Sequence, residues 1–190
     1  MKFPKSYKIL KQNTFSSGLF SIVPIRYEDR ISIMNWRNEQ LYHLRQNQIL
    51  TIADQDEYYE TVVANSFDTK RPDQLLFSFL EKGICVAYGG LVHINWKDLN
   101  AEISFVIDTN LERDCFSQYW NEYLRLIEKV AFNEINFRKI YTYAFDLRPH
   151  LYKAVELAGF KKEAKLKDHC RIDDVFYDVI IHSKFNHKQA

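Results

Sequence analysis

Glycine is scarce in this chain, with five residues in 190, so there are few places where the backbone can turn freely or approach a ligand closely. Cysteine is scarcer. Cys85, Cys115 and Cys170 are odd in number, far apart and form no CxxC pair. That excludes a zinc-ribbon site or a disulfide framework and fits reduced thiols in a cytoplasmic protein. No metal-ligand spacing occurs. No stretch approaches the ~20 consecutive apolar residues needed to span a bilayer, and "MKFPKSYKILKQNTFSSGLF" at the start lacks the apolar run of a signal peptide. Neither sign of charge dominates, with 26 Lys and Arg against 25 Asp and Glu, which argues against a nucleic-acid-coating protein.

Apolar and aromatic residues are plentiful. The hydrophobic fraction is 46%, with 12 Tyr and 14 Phe, enough for one sizeable core and an aromatic-lined cleft. There is no repeat, low-complexity tract or linker. The chain therefore reads as a single domain over 1–190, with 1–19 as an N-terminal extension.

The periodicities give an order. Phe20 to Asp29 reads as a strand running into a helix, with Ile31, Met34 and Leu41 at helical spacing and Trp36 near the end. A second helix is predicted around the pairs Tyr58/Tyr59 and Val62/Val63, with Asp54, Asp56 and Glu57 favouring its first turn. Three strands follow in a meander, "QLLFSFLEKG", "ICVAYGGLVHINW" and "AEISFVID", where Gly89-Gly90 marks a bulge or a close backbone contact. A long amphipathic helix carries Phe116, Trp120, Tyr123, Leu124, Ile127 and Val130 on one stripe. "KIYTYAFD" is a strand, parallel to the preceding one because a helix joins them. Pro149 opens a short helix stopped by Gly159, and a hairpin turning near Asp173-Asp174 closes the chain. The order β-α-α-β-β-β-α-β-α-β-β is that of an α/β domain with a mixed sheet and helices on both faces.

With that order on the page, four stretches resemble the GNAT N-acetyltransferase superfamily. They are "MNWRNEQ" (Met34 to Gln40), similar to the branch of ribosomal-protein and amino-sugar acetyltransferases, "GGLVHINWKDLNAEISFVID", "YLRLIEKVAFNEINFRKIYTYAFD" and "LYKAVELAGFKKEAKLKDH". The likeness runs from about Phe20 to Phe185. It implies a GNAT-like, mostly antiparallel central sheet, with acetyl-CoA as acyl donor and an amine as acceptor. It also implies a splay between the family's fourth and fifth strands that takes the pantetheine arm along Phe105, Val106 and Ile107. Trp36, Arg37 and Asn38 would then line the acceptor side, and a homodimer is a common assembly in the family.

The sequence departs from that family in two places. The diphosphate loop, "TNLERDCFSQ", has no glycine, so Arg113 and Arg148 are the expected sources of positive charge, beside a helix N-terminus with free amides. The usual tyrosine position holds Val155, and Tyr152 is the nearby phenol. For the chemistry, Glu102, acting through water, and His93, beside it if the "NWKDLN" turn is tight, are candidate proton acceptors. Their bland readings are a cross-strand carboxylate and a hydrogen-bonded sheet histidine. For Trp36 the bland reading is a core residue, and for Arg37 an ion pair with Glu39 or Asp29. His150, His169 and His182 read as structural or surface groups, Cys115 as a poor nucleophile, and the basic run Lys161 to Arg171 as a solvated strand face. Three functions stay open at this stage. One is an N-acetyltransferase acting on a small amine, with a nucleotide-linked amino sugar as first choice. The second is a protein N-terminal acetyltransferase, and the third a non-catalytic ligand-binding relative.

Overall fold

The computed structural model describes residues 3–187, without the side chains of Asp114 and His150. Eight strands form one sheet in the order β1-β2-β3-β4-β5-β6-β8-β7. They are β1 (Phe15–Ser17), β2 (Phe20–Pro24), β3 (Leu75–Glu81), β4 (Ile84–Asn95), β5 (Asn100–Ile107), β6 (Lys139–Phe145), β7 (Lys161–Ile172) and β8 (Val175–Phe185). Every neighbouring pair is antiparallel except β5 and β6. The helices are α1 (Arg30–Glu39), α2 (Ile52–Tyr58), α3 (Ala64–Asp68), α4 (Thr109–Glu128) and α5 (Tyr152–Leu157). A π-helical turn at Tyr59–Val63 joins α2 to α3, so the second predicted helix is one continuous rod.

The helices cover both faces of the sheet. Tyr88 and Gly89 are consecutive on β4 and so point to opposite faces. The Tyr88 hydroxyl accepts from Arg37 of α1, whereas a Cβ at Gly89 would meet the Tyr123 hydroxyl of α4. Phe105, the cross-strand partner of Gly89, packs on Trp120 and Tyr123, which fixes α4 on that face. Helix α2 begins at a capping box between Thr51 and Asp54, as the acidic first turn suggested.

The Gly89-Gly90 pair marks close contact. A Cβ at Gly90 would overlap the Leu75 carbonyl of β3, and one at Gly89 the Ser104 carbonyl of β5. Gly90→Ala is expected to cost about 1–3 kcal/mol, because the clash is with backbone that cannot rotate away. Urea unfolding of the variant reads this directly.

The first strand runs into a helix as expected: β2 ends at Pro24, and Tyr27–Asp29 forms a 3-10 turn before α1 in which Asp29 is buried against Arg26 at 2.7 Å. The segment before Phe20 supplies β1 and part of the core. Tyr7 is buried, stacks on Phe67 at 4.2 Å, donates to the Leu76 carbonyl at 2.8 Å and accepts from the Leu76 amide at 3.0 Å. The β7–β8 turn lies at Asp173-Asp174, both with positive φ, as predicted.

Candidate active site

The one parallel pair among the described strands is also short. Strands β5 and β6 pair through Asn100 to Glu102 with Lys139 to Tyr141 and then separate. Strand β6 stays on β8 as far as Phe145, while β5 stays on β4 as far as Ile107. The result is a wedge with its apex at Glu102. A cavity of about 530 Å³ fills it, lined by Ile103 to Ile107 on one side and Thr142 to Phe145 on the other. Phe105, Val106 and Ile107, expected along the pantetheine arm, line this wall. Phe116, Trp120, Leu151, Tyr152 and Val155 close one side of the cavity, and Arg37, Gln40, His43, Leu44 and Arg45 the other.

At the apex, Glu102 is 8% exposed and both of its oxygens are engaged. Oε2 lies 2.9 Å from His93 Nδ1, and Oε1 accepts from Arg45 Nη2 at 2.7 Å. A bulge brings the histidine there. Val92 pairs with Glu102 and Asn95 with Asn100, so β4 has one residue too many between them. His93 takes up the excess at φ 47°, a conformation rare outside glycine. That re-aims the imidazole onto the face of Glu102. A carboxylate oxygen accepts, so Nδ1 donates and Nε2 is left with its lone pair toward the cavity. Arg45 spans the wedge, its guanidinium 4.3 Å above the Tyr143 ring. Nothing in the sequence marked Arg45: it lies in a polar segment without periodicity.

Arg37 lines the cavity and donates to the Tyr88 hydroxyl at 2.6 Å and to Gln46 Oε1 at 2.8 Å. The expected ion pair with Glu39 or Asp29 is not formed. Among the described residues Arg37 has no carboxylate partner. Its two neighbours are not part of the cavity lining. Trp36 is 7% exposed in the core. Asn38 tethers the following loop, with Nδ2 donating to the Leu50 carbonyl and Oδ1 accepting from the Leu50 amide, each at 2.8 Å. Tyr152 lines the wedge and donates to Asp146 at 3.0 Å; burial and that carboxylate hold its phenol above the usual range.

The diphosphate expectation also changes. Helix α4 starts at Thr109, directly after β5, and Asp108 caps it by accepting from the Asn110 amide at 2.9 Å. The free amides expected there face a carboxylate, with Glu112 in the same turn. Arg113 is exposed on α4 and lies outside the cavity lining. Arg148 does line it, paired to Glu112 and donating to His43 Nδ1 at 3.1 Å.

Burial, and then the Arg148 charge, push the His43 pKa down from 6.5 to about 3. Burial also lowers His182, which lies in the core at 5.2 Å from the Tyr152 ring. His169 is exposed, and the His150 side chain lies outside the described residues. A histidine depressed in the fold protonates first in the unfolded chain. The stability it contributes is complete above about pH 6.5 and is lost as pH falls toward 3. The slope for each histidine approaches about 1.4 kcal/mol per pH unit. Melting curves between pH 8 and pH 5 are expected to show this loss, and His43→Gln to flatten it.

A sheet that opens between two parallel strands beside a polar apex is the arrangement that the family resemblance implies. The comparisons agree: a family model described as "Acetyltransferase (GNAT) domain" matches residues 22–181, and the chain belongs to that family and is an N-acetyltransferase. Among solved structures it is similar to the spermidine N-acetyltransferase from Vibrio cholerae in complex with CoA and spermine. That likeness has a TM-score of 0.76 at 18% identity and covers 90% of this chain and 98% of that one. The dodecameric form of that enzyme in an intermediate state gives a TM-score of 0.71 at 17% identity, over 91% of this chain and 97% of the other. At these identities the likeness is one of fold. No curated protein sequence matches the chain. Among the described residues, no helix is long and apolar enough to cross a membrane.

Proposed function

We propose that the chain transfers an acetyl group from acetyl-CoA to a small amine that carries an anionic group, with a nucleotide-linked amino sugar as the first acceptor to test. The observation that carries the acceptor class is Arg37, a cation on the cavity wall without a carboxylate partner among the described residues. A guanidinium fork suits a carboxylate or phosphate. A polyamine, such as the spermine in the similar complex, would bring further positive charge toward Arg37 and Arg45.

The wedge suits a long, mostly apolar thioester arm, and its volume lies within the usual range for ligand pockets, roughly 300–1,000 Å³. The self-capped N-terminus of α4 does not suit a diphosphate. In this reading His93 Nε2 takes a proton from the acceptor ammonium, and Glu102 and Arg45 are positioning residues that hold the imidazole. The neutral amine attacks the thioester carbonyl. The C–N bond forms, the C–S bond breaks, and the departing thiolate takes the proton that the new amide nitrogen sheds, leaving as the free thiol. A thiolate with a pKa of ~8.5 is a weaker base than the Tyr152 phenolate, so proton transfer from Tyr152 to it is uphill. Tyr152 therefore acts as a wall of the wedge.

The test incubates the protein with acetyl-CoA and a panel of amines and follows free thiol. The panel holds nucleotide-linked amino sugars, spermidine and peptides with free N-termini. Release with the anionic amines is expected. Release with spermidine alone would overturn the acceptor class, and release with peptides alone would point to a protein N-terminal acetyltransferase.

A further inference from the structure

Charges on the cavity wall do not all cancel. Among the described residues two carboxylates line it, Asp73 and Glu102, with the guanidinium groups of Arg37, Arg45 and Arg148. Arg45 is paired to Glu102, and Arg148 to Glu112 from outside the lining. Arg37 is left as the cation without a carboxylate. Asp73 is left as the anion: it is exposed, and among the described residues its carboxylate has neither an ion pair nor a hydrogen bond.

The backbone sets Asp73 beside the apex. The Pro72 carbonyl accepts from Trp96 Nε1 at 2.9 Å, and the Asp73 carbonyl from the Ile94 amide at 3.2 Å. Trp96 packs edge-on against the buried Phe137, with ring centroids 5.1 Å apart. The segment leading into β3 is therefore pinned to β4 just past the His93 bulge. In the β3–β4 register Leu75 faces Leu91, and continuing it by two residues sets Asp73 across from His93. Glu102 of β5 lies on the other side of β4. The histidine thus stands between two carboxylates. Its Nδ1 is turned to Glu102 at 2.9 Å, so Nε2 is on the ring edge away from β5, on the side of Asp73.

We propose that Asp73 is the acceptor-binding carboxylate of the site: it takes one N–H of the incoming ammonium and presents another to His93 Nε2. The inference rests on the amine-acceptor reading above and the role given there to His93, and not on the acceptor's anionic group. Free amines with a pKa of about 8–10 arrive at neutral pH mostly as ammonium. The arginines of the wall repel that form, and an unpaired carboxylate offsets the repulsion. An ammonium has three N–H donors. One goes to Asp73, and His93 Nε2 takes the proton of a second. The neutral amine keeps two N–H groups, one of them still on Asp73. Rotation about its C–N bond then turns the lone pair from the imidazole to the thioester carbon. One free carboxylate also sets specificity: it holds one cationic centre, and the further centres of a polyamine find no second free carboxylate among the described lining residues.

Steady-state kinetics by thiol release test this on the wild type, Asp73→Asn and Asp73→Glu, each with a nucleotide-linked amino sugar, spermidine and a peptide with a free N-terminus. For every amine that the wild type acetylates, Asp73→Asn is expected to raise the amine KM about 10–100-fold, the worth of one hydrogen bond between charged groups, with a smaller change in kcat and none in the KM for acetyl-CoA. Asp73→Glu keeps the charge and is expected to recover most of that loss. Should Asp73→Asn fail to fold, Asp73→Ser is expected to give the same rise. An unchanged amine KM overturns the proposal, whatever kcat does. An equal rise in the KM for acetyl-CoA overturns it too, since that marks a distorted wall. A wild type that prefers spermidine, with the rise still seen in Asp73→Asn, supports Asp73 and removes only the anionic acceptor class. If the wild type releases thiol with none of the amines, the proposal falls together with the reading it rests on.

Discussion

Replacing His93 with glutamine is expected to lower kcat/KM by about 10²–10⁴-fold, the usual contribution of a positioned proton acceptor. The imidazole is on the cavity side of the apex, its Nδ1 held by Glu102 and its side chain 60% exposed, so the loss should come without a large loss of stability. Glutamine can still donate to Glu102 but offers no basic lone pair where Nε2 stood. Glu102→Gln should act more weakly and through orientation: the imidazole keeps its base and loses the carboxylate that fixes its tautomer. A glutamine variant at His93 with normal kcat/KM would remove the histidine from the chemistry.

The second large effect concerns Arg37. If it holds the acceptor's anion, Arg37→Met should raise the KM for an anionic amine by about 10–100-fold, the worth of one hydrogen bond to a charged group. The same substitution should leave a cationic amine unaffected or improved. Because Arg37 also donates to the buried Tyr88 hydroxyl, some stability is lost in that variant. Arg37→Lys separates the two effects, since it keeps the charge and gives up the planar fork. Equal KM changes for anionic and cationic acceptors would mean that Arg37 only supports the wall.

Much of this architecture was legible in the sequence because strong periodicity marks it. The stripe from Phe116 to Val130 gave α4, the meander gave β3 to β5, and the helix between β5 and β6 implied the parallel pair that opens the wedge. What stayed hidden depends on contacts distant in sequence. Tyr7 joins the core through the Leu76 backbone, 69 positions away, and nothing in its polar surroundings announces that. His93 was expected beside Glu102 on a tight turn, yet the contact needs a bulge that the Gly89-Gly90 pair did not locate. Trp36 and Asn38 sat in the right motif and turned inward, one to the core and one to the Leu50 backbone. The missing glycines near Arg113 did carry information. The helix simply starts at once, capped by Asp108, and the positive charge near the opening comes from Arg148.

The central claim is that the gap between β5 and β6 receives the donor's arm, and a crystal structure of the protein grown with CoA tests it most directly. The account predicts the pantetheine along Ile103 to Ile107 with its sulfur near the His93–Glu102 pair. Density for CoA elsewhere on the molecule, with the gap filled by Phe105, Phe145 or Tyr152 side chains, would contradict it.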